Sequence, residues 1–300
     1  MAQEVLRRVK SAVDGIARRH SCPPAGAADA LRADVREFEH VDRETGHTVR
    51  QEGGLPAAPL DEAREARKRL FVDGDRDARQ AWGRELMDMT ERGKGAEADR
   101  RLERVLGVPS YRYHAASRDE RPSAPFDGLP ATLADRADVH GPEPSRLVYL
   151  TPVTKAMKLT ADDVLYDIGS GIGKSSLFFG ACTPAARVVG IEIEPAYARF
   201  ADSRARDLGL SHVEFLNRDA LEVDLSDGTA FYFYNPFSST PDRDSVGMLA
   251  DRLADLGSRQ QIQIAVKGEN MQTLLQDSGV FAVETVLEQP ALWKVFRSLG

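Results

Sequence analysis

The segment VLYDIGSGIGKSSL, residues 164–177, has the pattern of a buried strand, a glycine-rich turn and the start of a helix. The spacing predicts that the strand ends at Asp167 and that the helix begins after Gly173. Together with Gly169 and Gly171, this last glycine keeps the turn free of side chains, so backbone N–H groups at a helix amino terminus can approach a ligand closely. The turn is therefore a candidate binding site.

A dinucleotide-binding loop has a different glycine spacing from this turn. Its Gly-x-Gly-x-x-Gly pattern would require glycine at position 174, where the chain has Lys174. This departure disfavours a nicotinamide or flavin nucleotide as the ligand. A glycine-rich turn also occurs in many α/β proteins as a purely structural feature, so further residues must support the site.

Acidic residues follow the next two predicted strands. Glu192 ends the run VVGIE about 20 residues after the turn, where a carboxylate can accept hydrogen bonds from both hydroxyl groups of a ribose. Glu194 is the alternative, because strand alternation points it the same way. Asp219 follows the third strand in HVEFLNRDAL. With Asp167, these acids lie at the carboxyl ends of three successive strands, which is the edge where open α/β sheets bind ligands.

The second half of the chain has a regular alternation of short β-rich runs and helical stretches. The runs after residue 146 are VLYDI, RVVGIEI, HVEFL, TAFYFY, QIQIAV, FAVETVL and ALWKVF. Helix-length intervals separate the first five, as a parallel sheet of right-handed βαβ units requires. Only Glu288, Gln289 and Pro290 join the last two, which predicts an antiparallel hairpin at a sheet edge.

This plan resembles the class I methyltransferase fold, an α/β architecture whose seven-stranded sheet has the order 3-2-1-4-5-7-6, and the resemblance covers residues 147–300. It implies that S-adenosyl-L-methionine is the cofactor. It also implies that Glu192 binds the ribose, that the Asp219 carboxylate accepts from the adenine amino group, and that the backbone N–H of Ala220 donates to the adenine ring. The three glycines and Asp167 complete the implied cofactor site.

The fourth strand runs into Tyr234, Asn235, Pro236 and Phe237. In the amino-methylating branches that this segment resembles, the motif is Asn/Asp-Pro-Pro followed by an aromatic residue, whereas this chain has one proline. The resemblance implies that Asn235 lies beside the cofactor and orients the acceptor nitrogen, that Phe237 forms an apolar wall, and that Tyr234 is a candidate helper. The alternative is a proline turn that only ends the strand.

A closer similarity joins LTADDVLYDIGSGIGK and the Asn-containing strand end to the non-SET histone-lysine methyltransferase family and its bacterial relatives. That family has Asn-Asn-Phe-Ala-Phe where this chain has Tyr-Asn-Pro-Phe. In it, a segment before the first strand closes over the cofactor, and VYLTPVTKAM, with Tyr149 and Thr151, occupies that place here. The similarity favours a nitrogen acceptor, in a protein lysine or a small amine-bearing molecule, methylated by in-line displacement without a metal.

The first part of the chain has apolar residues at helical spacing. They are Val5, Val9, Val13 and Ile16, then Ala27, Leu31, Val35 and Phe38, then Ala78, Trp82, Leu86 and Met89, and finally Ala98, Leu102 and Val105. We predict a helical domain or cap at 1–106, a Pro/Gly-rich linker or lid at 107–146, and the methyltransferase domain at 147–300.

Composition disfavours several other classes of protein. A net charge of −7 disfavours a broad nucleic-acid-binding surface. Cys22 and Cys182 form no CxxC or His/Cys cluster, so neither a disulfide framework nor a zinc site is indicated. The charged opening MAQEVLRRVK and the lack of a long apolar run predict a cytoplasmic protein without membrane association.

A nucleic-acid methyltransferase is disfavoured by the acidic charge and by the incomplete Asn-Pro-Pro motif, but stays open. Two further functions are also open at this point. The first is an oxygen- or carbon-methylating enzyme of secondary metabolism that uses the helical half as a substrate cap, with Lys267 at the end of the fifth strand as a base or as a solvated strand terminus. The second is a catalytically inactive cofactor-binding protein that acts through its helical half. A closed acceptor pocket beside Asn235 would favour the second.

Overall fold

A computed structural model describes a large part of the chain. The described residues are 58–108, 144–234, 236–237, 244–288 and 291–299. They belong to a compact unit that spans Pro56–Gly300. The helices predicted before residue 40, and nearly all of the predicted linker or lid, lie outside the described residues, so these interpretations and the domain boundaries that depend on them stay predictions.

The described residues build a seven-stranded sheet with the order β3-β2-β1-β4-β5-β7-β6. Its strands are β1 (Val164–Ile168), β2 (Arg187–Glu192), β3 (Val213–Asn217), β4 (Ala230–Tyr234), β5 (Gln263–Lys267), β6 (Phe281–Leu287) and β7 (Trp293–Ser298). The first five pair in parallel, and β7 is antiparallel to both β5 and β6. The predicted class I methyltransferase fold and its terminal hairpin are confirmed.

Burial along the strands follows their position in the sheet. The central strands β1, β4 and β5 are buried at four of their five positions, because helices cover both faces of a parallel sheet. The edge strand β6 alternates between buried or half-buried and exposed residues. This alternation is typical of an antiparallel edge strand with one solvated face.

Helices cover both faces of the sheet. They are α1 (Ala58–Arg67), α2 (Arg76–Met89), α3 (Gly95–Leu106), α4 (Leu147–Met157), α5 (Lys174–Cys182), α6 (Pro195–Asp207), α7 (Ser245–Gly257) and α8 (Glu269–Asp277). Helices α2 to α6 contribute to the hydrophobic core on one face, and α7 and α8 contribute to the core on the other. Among the described residues, no helix combines the length and apolar character needed to cross a bilayer.

The helices that precede the sheet share its hydrophobic core. The apolar stripes predicted at Trp82 and Leu86, and at Leu102 and Val105, are buried on α2 and α3 as expected. Every residue of α5 is buried, since α2 and α3 pack on its outer side. A Cβ atom on Gly83 of α2 would lie only 2.4 Å from Cβ of Cys182 on α5, so the helices approach more closely than a larger residue allows.

Truncation of a residue in this shared core should destabilise the whole unit. Leu102 has 0% exposure, and we expect Leu102→Ala to lower the free energy of unfolding by about 2–5 kcal/mol because a cavity replaces packed methyl groups. Leu274→Ala on α8, where the leucine is 40% exposed, should cost less than about 1 kcal/mol. Urea titration monitored by tryptophan fluorescence measures both, and equal losses would contradict the shared core.

Candidate functional site

The glycine-rich turn connects β1 to α5. Strand β1 extends to Ile168, one residue beyond its predicted end, and α5 begins after Gly173 as predicted. The backbone N–H groups of Gly169 and Ser170 each donate to the carbonyl oxygen of Ile191 at 2.9 Å. The turn is therefore fixed to the end of β2 by the main chain.

The three glycines of the turn have left-handed φ angles of 75°, 56° and 83°, which favour residues without a Cβ atom. Their surroundings differ. A Cβ atom on Gly169 would lie 2.4 Å from Cβ of Pro236, and one on Gly173 would lie 2.7 Å from Cβ of Ala201. Among the described residues, no atom lies within 4 Å of a Cβ atom placed on Gly171. Packing within the protein thus accounts for the outer two glycines and not for the middle one.

Glu192 is the last residue of β2 and lies against the turn. One carboxylate oxygen, Oε2, accepts the N–H of Gly171 at 2.7 Å, and Oε1 accepts the N–H of Glu194 at 2.7 Å. The side chain is only 6% exposed. Burial raises the pKa of Glu192 to about 6, although the backbone N–H groups that it binds act in the opposite direction.

The competing acid has a different contact. The carboxylate of Glu194 accepts the N–H of Ala196 at 3.2 Å and caps the amino terminus of α6. Glu194 therefore has a structural role that the sequence pattern did not reveal. Glu192, whose carboxylate contacts the turn itself, is the better placed of the two for a ligand bound there.

Asp167 lies under the turn, within the protein. It is 2% exposed, and its Oδ2 atom accepts hydrogen bonds from the hydroxyl groups of Ser175 and Ser176, both at 2.6 Å. Burial raises its pKa to about 6, and the two serine hydroxyls counteract this shift. These contacts orient the first turn of α5. A direct contact between Asp167 and the cofactor stays a prediction.

A short 3₁₀ turn, Ala220–Glu222, follows β3, and Asp219 directly precedes it. The Asp219 carboxylate accepts the N–H of Leu221 at 3.0 Å and caps this turn. The guanidinium of Arg252, on α7, donates to the carbonyl oxygen of Ala220 at 2.9 Å. The contact holds the turn from a distant part of the chain, and no local sequence signal indicates it.

Tyr149 and Thr151 lie on α4, the helix formed by the segment that was expected to close over the cofactor. The ring of Tyr149 lies 5.6 Å from the ring of Tyr234 at the end of β4. The Oγ1 atom of Thr151 is buried and has no hydrogen-bond partner among the described residues. Helix α4 thus reaches the strand end where the acceptor is expected, with a polar atom that its own helix does not satisfy.

The end of β4 borders a cavity of about 220 Å³. Its walls are formed by Phe233, Pro236, Phe237, Val246, Lys267, Gly268, Glu269, Asn270 and Met271. Pro236 also packs against Gly169, so the cavity adjoins the glycine turn. Phe237 lines the cavity as an apolar wall, whereas Asn235 lies outside the described residues and its role stays a prediction.

Lys267 ends β5 beside Tyr234, its register partner on β4. The ammonium group donates to the Tyr234 hydroxyl at 3.0 Å and lies 4.1 Å from the centre of the tyrosine ring. Because Lys267 also lines the cavity, it is more than a solvated strand terminus. Lys267 thus lies beside both Tyr234 and the cavity.

Comparison with known proteins identifies the same region. Residues 165–256, from β1 through almost all of α7, match the family model described as a methyltransferase domain. This range contains the glycine turn, Glu192 and Asp219. No curated protein sequence matches the chain.

The chain is also similar to solved structures. An RNA methyltransferase from Salinibacter ruber in complex with S-adenosyl-L-homocysteine has 24% identity, covers 52% of this chain and 92% of its own, and gives a TM-score of 0.37. A precorrin-6y C5,15-methyltransferase from Geobacter metallireducens is 16% identical to this chain. The match covers 51% of this chain and 87% of that enzyme's chain, with a TM-score of 0.39. A geranyl diphosphate C-methyltransferase from Streptomyces coelicolor is 13% identical to this chain. The match covers 50% of this chain and 74% of that enzyme's chain, with a TM-score of 0.38.

Asp167 should make stability depend on pH. Because its pKa is about 6 in the folded protein and 3.8 as an ordinary carboxyl, its protonation stabilises the fold as the pH falls from 7 to 4, and this contribution is lost as the pH rises through 6. We expect Asp167→Asn to remove about 1–3 kcal/mol of that pH dependence, measured by urea unfolding at several pH values. Asp162→Asn, at an exposed position, is the control. If the free energy of unfolding of Asp167→Asn varies with pH as it does in the wild type, Asp167 is not the source of this pH dependence.

Proposed function

We propose that the chain is an S-adenosyl-L-methionine-dependent methyltransferase that methylates a nitrogen acceptor, either a protein lysine or a small amine-bearing molecule. The observation that carries the proposal is the contact of the Glu192 carboxylate with the Gly171 N–H, at the carboxyl edge of the sheet. The methyltransferase-domain match over residues 165–256 supports the reaction class. The similarity of the Tyr-Asn-Pro-Phe segment to amino-methylating families supports the nitrogen acceptor.

The residues of the edge fit this cofactor. Gly171 leaves open space beside the turn, where a side chain would obstruct a ligand. Each oxygen of the Glu192 carboxylate accepts one N–H group in the contacts described above, and a carboxylate oxygen has room for a second donor. The two hydroxyl groups of a ribose would supply such donors. Asp219 and the N–H of Ala220 would hold the adenine.

Bound S-adenosyl-L-methionine supplies an activated methyl group, so the protein needs mainly to position the acceptor and exclude water. Phe237 and the other apolar residues of the cavity would exclude water around the acceptor. Asn235 would accept a hydrogen bond from the acceptor nitrogen and so direct its lone pair. An amide oxygen is too weak a base to take a proton from an ammonium, and water or the substrate would accept that proton.

An oxygen acceptor is the second candidate, because Lys267 lines the cavity. An ammonium group there would stabilise the anionic form of a phenol or a carboxylic acid, whereas it would repel a protonated amine. The two candidates separate by product chemistry, since a methylated amine keeps a basic nitrogen that takes up a proton, whereas a methyl ester or an aryl methyl ether has none. The presence of the cavity at the end of β4 disfavours an inactive cofactor-binding protein.

Glu192 and Glu194 form a matched pair for testing the cofactor site. We expect Glu192→Gln to weaken binding of S-adenosyl-L-homocysteine at least about tenfold, because hydrogen bonds to a charged acceptor contribute about 1.5–3 kcal/mol each. Glu194→Gln should bind like the wild type, since its carboxylate caps α6. Isothermal titration calorimetry measures both, and equal affinities in the two variants would contradict the assignment.

Asn235 should affect turnover and not cofactor binding. We expect Asn235→Ala to keep the affinity for S-adenosyl-L-homocysteine and to lower methyl transfer by about 100-fold, because the acceptor loses its orientation. The readout is transfer of a labelled methyl group to an acceptor found by screening amine-bearing peptides and small molecules. Full turnover in the variant would indicate that the Asn-Pro segment only ends the strand.

A further inference from the structure

A buried lysine follows directly after the glycine turn. Lys174 is the first residue of α5 and is 2% exposed. Its ammonium group donates to Oδ1 of Asp99 at 2.9 Å and to Oε1 of Glu103 at 2.6 Å. Both carboxylates lie one turn apart on α3, so α3 supplies the two anions that surround this cation.

The position is electrostatically costly without these anions. The amino terminus of a helix carries a partial positive charge, which disfavours an ammonium group there, and burial removes the water that would solvate it. Burial lowers the pKa of Lys174, but Glu103 and Asp99 outweigh this and hold the pKa above its ordinary value. The lysine is therefore charged, and α3 determines where the first residue of α5 can lie.

Asp99 also accepts a hydrogen bond from α4, in addition to the one from Lys174. The same Oδ1 atom accepts the N–H of Leu147, the first residue of α4, at 2.9 Å. Arg146 gives that helix no side-chain cap, and its Nε atom lies 3.6 Å from Oδ2 of Asp99. One carboxylate thus binds the first residues of two helices. Helix α5 continues the glycine turn, and α4 carries Tyr149 and Thr151.

We propose that Asp99 is a positioning residue of the cofactor site, which holds the glycine turn and α4 in the fixed arrangement that cofactor binding requires. The inference rests on the proposed function and assigns part of the helical region before the sheet to cofactor binding. Glu103 serves as the internal comparison, because it shares the contact with Lys174 while the N–H of Leu147 is bound by Asp99.

The test compares three variants of the full chain with the wild type. Asp99→Leu removes the acceptor of the hydrogen bonds from Lys174 and Leu147, and Asp99→Asn keeps a neutral acceptor for Leu147. Glu103→Met removes the other carboxylate that holds Lys174 and leaves Asp99 in place. Affinity for S-adenosyl-L-homocysteine is measured by calorimetry well below each melting temperature. Melting temperatures from thermal unfolding report the structural cost separately. A wild type that does not bind this ligand refutes the proposed function itself, before any variant is compared.

We expect Asp99→Leu to weaken binding by about tenfold or more, Asp99→Asn to recover most of the loss, and Glu103→Met to stay within about threefold of the wild type. Where Asp99→Leu alone does not fold, Asp99→Leu and Glu103→Met, each combined with Lys174→Met, give the same comparison without the buried ammonium. Weaker binding in the Asp99 variant than in its Glu103 partner supports the positioning role. Equal affinities, with only the melting temperatures lowered, would overturn it.

Discussion

Two backbone hydrogen bonds, from Gly169 and Ser170 to the carbonyl oxygen of Ile191, hold the turn on which the site depends. They close the end of β1 onto the end of β2, and this closure brings the Gly171 N–H within reach of the next residue's carboxylate, Glu192. Left-handed backbone at the three glycines makes the path of the turn possible. The turn and the acid therefore form one rigid unit, so a ligand would find its binding groups already in place.

Rigidity of this unit has a second source on the other side of α5. That helix is buried along its whole length, because α2 and α3 cover the surface that would otherwise face solvent. At its first residue, the two carboxylates that α3 places around Lys174 hold the pKa of that lysine above its ordinary value, against the effect of burial. The helical region before the sheet is thus part of the same packed structure as the ligand-binding edge. In sequence, it had the appearance of a separate domain or cap.

Much of this architecture could be predicted because the relevant signals are local. The parallel strands and the terminal hairpin followed from alternating runs and one short connection, whereas the strand order was implied by the resemblance to the class I methyltransferase fold. Each predicted run overlaps its strand with ends that differ by at most two residues. Other features depend on contacts between distant residues. Asp99 and Lys174 are 75 positions apart, and no periodicity relates them. Glu194 had the same strand pattern as Glu192, and only the structure shows that it caps α6.

The most direct test of the central claim is a calorimetric titration of the wild-type protein with S-adenosyl-L-methionine, S-adenosyl-L-homocysteine and, as the control, NAD. The geometry of Gly171 and Glu192 predicts that the first two ligands bind with dissociation constants in the micromolar range, about −8 kcal/mol, and that NAD does not bind. Binding of NAD alone would contradict this account and indicate an oxidoreductase. Binding of none of the three would show that the turn and Glu192 do not form a cofactor site on their own.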